Sequence, residues 1–291
     1  MEAAGRAAGA QDYPAGALYV VATPIGNLAD ISLRALHVLS LADAVACEDT
    51  RHTGQLLRAY GLPPKPLLSV HEHNEQVGAQ GVLARLQAGE RVAYASDAGT
   101  PAVSDPGARL VAACVAAGVR VVPLPGASSP VTALCASGLS GDGTFLFRGF
   151  LPPKSGERQQ ALAALAQEPR AVVLLEAPHR MRALADELAM LGERSVTVAR
   201  ELTKQFEHIT TLACAVLPTW LAADPARQRG EFVLVLHPGA VAEDGGDADR
   251  VLRVLLAELP LKTAVKLAAE IATAPRNALY QRALTLQRAP E

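Results

Sequence analysis

Short apolar runs recur along the first half of the chain, and each stops at a cluster of Gly, Pro, Asp, Ser or charged residues. Ala17–Ala22, Asp43–Cys47, Leu67–Val70, Val92–Ala95 and Val119–Leu124 read as buried strands. Between them, Ile31–Leu41, Thr53–Tyr60, Gln76–Gly89 and Ala108–Ala117 carry apolar residues at helical spacing, with Asp30 or Ser32 available to cap the first. Strand alternating with helix predicts a mostly parallel sheet covered on both faces.

The pattern restarts near Thr144. Strands are expected at Phe145–Phe147, Ala171–Leu175, Ser195–Ala199 and Glu231–His237, with helices at Glu157–Ala166 and Met181–Leu191. Here strands follow one another more closely, which favours a mixed sheet. The predicted organisation is a flexible N-terminus over 1–16, an α/β domain over 17–126 and a hinge over 127–143. A second α/β domain follows over 144–239, then a linker over 240–249 and a helical extension over 250–291. The extension splits into Arg250–Leu259, Lys262–Ala272 and Arg276–Leu284. Lys262, Lys266 and Arg276 give it the look of a basic helix-turn-helix, although a helical cap over core or dimer surface would show the same pattern.

Composition narrows the class. A chain of 291 residues suggests two domains, and its 50% hydrophobic content supplies their cores, though much of it is alanine. The net charge of −2 gives no global attraction to nucleic acid or membrane, so any basic surface is local. The four cysteines, Cys47, Cys114, Cys135 and Cys214, lie among apolar neighbours without CxxC spacing, as expected of buried reduced thiols in a cytosolic protein. The N-terminus lacks a signal-like apolar core, and Arg120, Pro123 and Pro125 interrupt the best candidate span. A soluble cytoplasmic protein without a membrane partner is expected. Neither GxGxxG nor GxxxxGK[ST] follows a strand.

The chemistry is concentrated where strands end. Val92–Ala95 runs into Ser96-Asp97-Ala98-Gly99-Thr100-Pro101, and Asp105 or Ser104 then caps a helix with Pro106 at its first position. The first strand ends at Thr23-Pro24-Ile25-Gly26, the second at Glu48-Asp49-Thr50-Arg51-His52, the third at His71-Glu72-His73-Asn74-Glu75 and the fifth at Pro125-Gly126-Ala127-Ser128-Ser129. In an open α/β sheet ligands bind outside the carboxyl ends of strands, so these loops are the candidate site. Each also has a plain structural reading as a well-capped connection. His71 and His73 lack a third ligand at a defined spacing, so no metal is expected.

The blocks YVVATPIGNLADISLRAL, EDTRHTGQLL, HEHNE, SDAGTPAVSDPG, PLPGASS, GFLPPKSGER, EAPHR and ARELTK occur in this order. Together they resemble the tetrapyrrole methylase superfamily, and EDTRHTG and HEHNE resemble its RNA-modifying branch, which methylates the ribose 2'-hydroxyl of a cytidine in the decoding region of small-subunit (16S) ribosomal RNA. The resemblance implies two α/β domains with S-adenosylmethionine in the cleft between them, in a homodimer. It implies cofactor contacts from Pro24, Ile25, Asp97, Gly99, Thr100, Ser128, Ser129 and Leu202. The superfamily's more usual Gly-Asp-Pro stands here as Ser-Asp-Ala-Gly-Thr-Pro.

A 2'-hydroxyl needs a proton acceptor within hydrogen-bond reach and alignment with the methyl donor. Glu48, His71, Glu75 and Glu201 are the candidates at strand ends, with His71 or Glu201 favoured and Lys204 as an electrostatic partner. Arg51 and Arg200 suit RNA phosphates. The substrate is expected to be small-subunit ribosomal RNA, either free or within an assembled subunit. The alternatives are a methyltransferase of the same fold acting on a porphyrinoid or a modified protein residue, and a noncatalytic RNA-binding protein.

Overall fold

A computed structural model describes residues 1–71, 74–105, 107–139, 143–239, 245–272 and 275–288. Glu72, His73, Pro106 and the linker residues 240–244 lie outside the described residues.

The first half begins with α1 (Glu2–Ala8), β1 (Ala17–Val21), α2 (Leu33–Leu41), β2 (Ala44–Cys47) and α3 (Thr50–Ala59). It continues with β3 (Leu67–Ser69), α4 (Glu75–Gln87), β4 (Val92–Ala95), α5 (Gly107–Ala116) and β5 (Arg120–Leu124). The strands pair in parallel in the order β3-β2-β4-β1-β5. Side chains alternate across the pleat, which sorts them into two cores. Tyr19, Val21, Ala93 and Ala95 pack under α1, α2 and α3, whereas Leu18, Val20, Val92 and Tyr94 pack under α4 and α5.

The second half contains α6 (Ser129–Ala136), β6 (Phe145–Phe150), α7 (Ser155–Gln167), β7 (Ala171–Glu176) and α8 (Pro178–Leu188), then β8 (Ser195–Arg200), β9 (His208–Ala213), α9 (Leu217–Ala222) and β10 (Phe232–Leu236). Its sheet is mixed, in the order β6-β7-β10-β8-β9, with β6 and β7 parallel and the other pairings antiparallel. Val172, Leu174, Phe232, Leu234 and Leu236 face α7, α8 and α9. On the opposite face, Val173, Val233 and Val235 join Ala133 of α6, Leu202, and Ile25 from the first half. The seam between the halves is therefore a small apolar core of its own.

Several expectations need correction. The N-terminal 16 residues are not a loose tail: Ala4 and Ala8 are buried, and the Tyr13 hydroxyl donates to Ala8 O at 3.0 Å, which fastens α1 to the sheet. The expected hinge contains α6, because Pro130 sits in its first turn and buried Ala133 anchors it on the second sheet. β9 escaped notice because its polar, Thr-rich sequence belongs to a half-exposed edge strand. Residues 245–249, expected as linker, start α10 (Gly245–Glu258), which with α11 (Leu261–Ile271) and α12 (Arg276–Arg288) forms the C-terminal helical part. Cys135 is exposed on α6, unlike the other three cysteines. Among the described residues no helix is long and apolar enough to cross a membrane.

Candidate functional site

β1 and β4 are neighbours whose following helices depart to opposite faces, α2 beneath Tyr19 and α5 beneath Tyr94. Such a divergence opens a crevice at the strand ends, the usual ligand position in an open α/β sheet. The crevice edge is pinned: Thr23 N–H donates to Gly99 O and Gly99 N–H to Thr23 O, each at 3.0 Å. The Thr23 hydroxyl donates to Ser96 O at 3.0 Å and the Ser96 hydroxyl to Gly99 O at 2.7 Å. Gly99 has φ +82°, a conformation that an L side chain resists, and a Cβ there would lie 3.2 Å from Ile25 Cγ2. The Thr100 hydroxyl donates to Ala127 O at 2.9 Å, tying this loop to the segment entering α6.

Two carboxylates stand at the floor of the crevice. Asp97 Oδ1 accepts the Asp49 backbone N–H at 3.2 Å, joining the ends of β2 and β4. Asp105 Oδ1 accepts N–H groups from Ala102 and Gly107, at 2.7 and 2.9 Å, so it caps α5 as expected. Burial pushes the Asp105 carboxyl above its ordinary value, and those two N–H groups only partly oppose the effect. Gly107 admits no side chain, since a Cβ would lie 2.1 Å from Cε1 of buried Tyr94.

The second half supplies the facing wall through the loop after β8. Glu201 and Thr203 hold φ of +53° and +67°, which folds the loop back on itself. Glu201 Oε1 accepts from Lys204 Nζ and from the Glu231 N–H, both at 2.9 Å, and Lys204 also reaches Glu231 Oε2 at 3.1 Å. Burial favours the neutral acid of Glu201, but the hydrogen bonds from Lys204 and Glu231 N–H prevail and hold its carboxyl below the ordinary value. For Lys204, burial is likewise outweighed by hydrogen bonds to the two glutamates, and its pKa is raised.

Three cavities meet at Ala98. One of about 240 Å³ is polar and lined by Glu48, Asp97, Gly99, Thr100, Ser128 and Ser129 among others. A second, about 310 Å³, is walled by Ile25, Phe150, Leu175, Leu202 and Phe232, with Glu176 at its edge. The third, about 400 Å³, lies between the Pro24-Ile25-Gly26 turn, α3 and Lys204. Glu176 is buried; its Oε1 accepts the Ala177 N–H at 2.8 Å and pairs with Arg180, while its Oε2 has no partner among the described residues. An acceptor in that state suits a ligand's N–H donor.

The sequence-predicted residues divide accordingly. All eight expected cofactor residues line this set of cavities, as do Glu48 and Lys204. Glu201 sits behind Lys204 as its brace, and His71 and Arg51 line none of the three cavities. The Arg51 guanidinium chelates Asp49, at 3.2 and 2.9 Å, and that side-chain hydrogen bond, aided by the Arg51 N–H, brings the exposed Asp49 carboxyl down to about 2. Arg200 donates to Arg229 O and Phe206 O, both at 3.2 Å, which fixes it against the loop. Glu75 is paired with Arg109. Glu231, Phe150, Glu176 and Gln55 were missed as site residues; Phe150, Glu176 and Gln55 lie inside the GFLPPKSGER, EAPHR and EDTRHTGQLL blocks, whereas Glu231 lies in none.

Residues 17–215 match the Tetrapyrrole (Corrin/Porphyrin) Methylases, and residues 242–287 match the RsmI C-terminal HTH domain. The ribosomal RNA small subunit methyltransferase I of Escherichia coli O157:H7 is 49% identical over 280 residues, covering 95% of this chain and 97% of that protein. The enzyme of the same name from Pseudomonas aeruginosa is 50% identical over 279 residues, covering 94% and 98%. Among solved structures, uroporphyrin-III C-methyltransferase from Thermus thermophilus, complexed with S-adenosyl homocysteine, superposes with a TM-score of 0.53 at 20% identity over 77% of this chain and 98% of that one. Diphthine synthase superposes with a TM-score of 0.59 at 16% identity, covering 76% and 89%. These two structural likenesses show the shared fold.

Proposed function

The chain belongs to the tetrapyrrole methylase family, within the ribosomal RNA small subunit methyltransferase I family, and on that premise we propose its reaction. It is an S-adenosylmethionine-dependent enzyme that methylates the ribose 2'-hydroxyl of a cytidine in the decoding region of small-subunit ribosomal RNA. The observation that carries this reading is the polar cavity at Asp97, built at the switch point of the parallel sheet and opening onto an apolar one.

The cavities suit the cofactor's chemistry. Glu48 and Asp97 bring negative charge to the polar cavity, appropriate for a cationic sulfonium with an ammonium group. Ile25, Leu175 and Phe232 wall the apolar cavity, and the partnerless Glu176 Oε2 can accept from an adenine amine there. When bound, S-adenosylmethionine supplies the methyl group. Pro24, Ile25, Gly99, Thr100, Ser128, Ser129 and Leu202 orient the two reactants and exclude water from between them. Glu48 is the carboxylate of the polar cavity placed to receive the hydroxyl proton. Lys204, held by Glu201, offers a fixed positive charge to the oxygen as it loses that proton. Arg51 and Arg200, outside the cavities, meet RNA phosphates after exchanging their present acceptors. A homodimer with cytoplasmic location completes the proposal.

The test is transfer from labelled S-adenosylmethionine to isolated small subunits and to protein-free ribosomal RNA, followed by digestion to nucleosides. Label in 2'-O-methylcytidine is the expected result. Label on a base, or none with either substrate, contradicts the assignment.

A further inference from the structure

The cavity beside α3 shares Ile25, Ala98 and Glu231 with the apolar cavity, and Asp97 and Ala98 with the polar one. A group seated there therefore adjoins both of the spaces proposed for the methyl donor. Its volume of about 400 Å³ falls within the roughly 300 to 1,000 Å³ typical of small-ligand pockets. His52, Gln55, Leu56 and Ala59 are spaced at i, i+3, i+4 and i+7, so one face of α3 looks into the space. Across from that face stand Ile25 and Leu28. Leu28 is half exposed although it is a large apolar residue, and the side chains of His52 and Gln55 are exposed without a hydrogen-bond partner among the described residues. Two apolar surfaces with an unused amide and imidazole at the rim describe a slot for a flat, polar-edged ring.

We propose that this slot receives the base of the target nucleotide, with Gln55 pairing to the edge of an unstacked pyrimidine and His52 flanking it. The inference rests on the RNA-methylating function proposed above. Sequence-specific RNA recognition commonly splays a base out of its stack and reads its Watson–Crick edge. A glutamine amide has one acceptor and two donors, so its Oε1 accepts the cytosine N4 amine while its Nε2 donates to N3. Ile25 and Leu28 on one side and Leu56 on the other contact the ring faces. Lys204 lines the slot beside Glu231, which also borders the apolar cavity. Two of its three ammonium donors are taken by Glu201 and Glu231, leaving one for the sugar–phosphate of the inserted nucleotide.

The experiment measures kcat/KM for small subunits and, separately, the Kd for S-adenosylmethionine, in the full-length wild type and in Gln55→Ala, Gln55→Glu and His52→Ala. Gln55 is exposed on the surface of α3, so its replacement leaves the packing of Leu56 and Leu57 intact. Losing a bidentate base contact should lower kcat/KM about tenfold to hundredfold. Gln55→Glu should fall comparably, because it presents a second acceptor to cytosine N3. The cofactor Kd should stay within about twofold in all three variants. Wild-type methylation with kcat/KM unchanged in both Gln55 variants overturns the base slot and leaves the function standing. A loss of cofactor affinity equal to the loss of kcat/KM also overturns it, by making Gln55 part of the cofactor site. Failure of the wild type itself to label RNA overturns the underlying function, and the slot with it.

Discussion

Gly26 and Lys204 pack so closely that a Cβ on the glycine would lie 2.5 Å from Lys204 Cγ and 3.0 Å from Cε. The contact joins the first turn of one half to the folded-back loop of the other. Lys204 cannot simply swing away, because its ammonium is held by Glu201 and Glu231.

Gly26→Ala therefore forces either the lysine out of its ion pairs or the two loops apart. The Glu231 partner is exposed and contributes little, but the Glu201 partner is mostly buried, so the cost is about 1 to 3 kcal/mol. The functional effect should be comparable, about tenfold or more in kcat/KM, because the wall of the cavity moves. Steady-state kinetics beside thermal denaturation checks this; a variant with unchanged kinetics would show that the crossing is not needed for the site.

The Glu201–Lys204 pair has a defined pH signature. The Glu201 carboxyl titrates below its ordinary 4.5 in the fold, so its stabilisation is complete above that value and is lost as pH falls through the folded-state pKa. Lys204 titrates above its ordinary 10.5, so its share is complete below that value and is lost as pH rises through the folded-state pKa. Glu201→Gln should accordingly lower the melting temperature across the neutral range, with the difference from wild type narrowing at both extremes. A difference independent of pH would mean that the loop is held by backbone contacts alone.

The parallel sheet and the loops along its carboxyl edge were legible because strands buried on both faces read as continuous apolar runs ending in turn residues, as with Val92–Ala95 and the Asp97 loop. α6 was hidden because Ser128, Ser129 and Pro130 look like loop until Ala133 and Leu134 find the second sheet. Glu201 invited a catalytic reading by its position at a strand end, and only the fold reveals that Lys204 and Glu231 N–H occupy it. Gln55 stands inside the EDTRHTGQLL block but was not singled out, since a polar residue on an amphipathic helix normally faces water.

α10, α11 and α12 bury Leu252, Val265, Ala268, Leu279 and Ala283 against one another, forming a separate core. Removal of residues 240–291 should leave the α/β part folded and its affinity for S-adenosylmethionine unchanged. Binding to small subunits should weaken, and log affinity should fall less steeply with log salt, by about 0.7 to 0.9 for each phosphate that the truncated protein no longer neutralises. Subunit binding with an unaltered salt slope would assign these helices a purely structural part.

In the proposed reaction the methyl donor sits at Asp97, between the Thr23–Gly99 pairing and Ser128. Equilibrium dialysis of labelled S-adenosylmethionine against the wild type and Asp97→Ala, with melting temperatures measured alongside, tests it most directly. Removing a charged partner of the ligand predicts a roughly tenfold or greater fall in affinity, with the fold retained. Affinity unchanged in Asp97→Ala would move the cofactor out of this crevice.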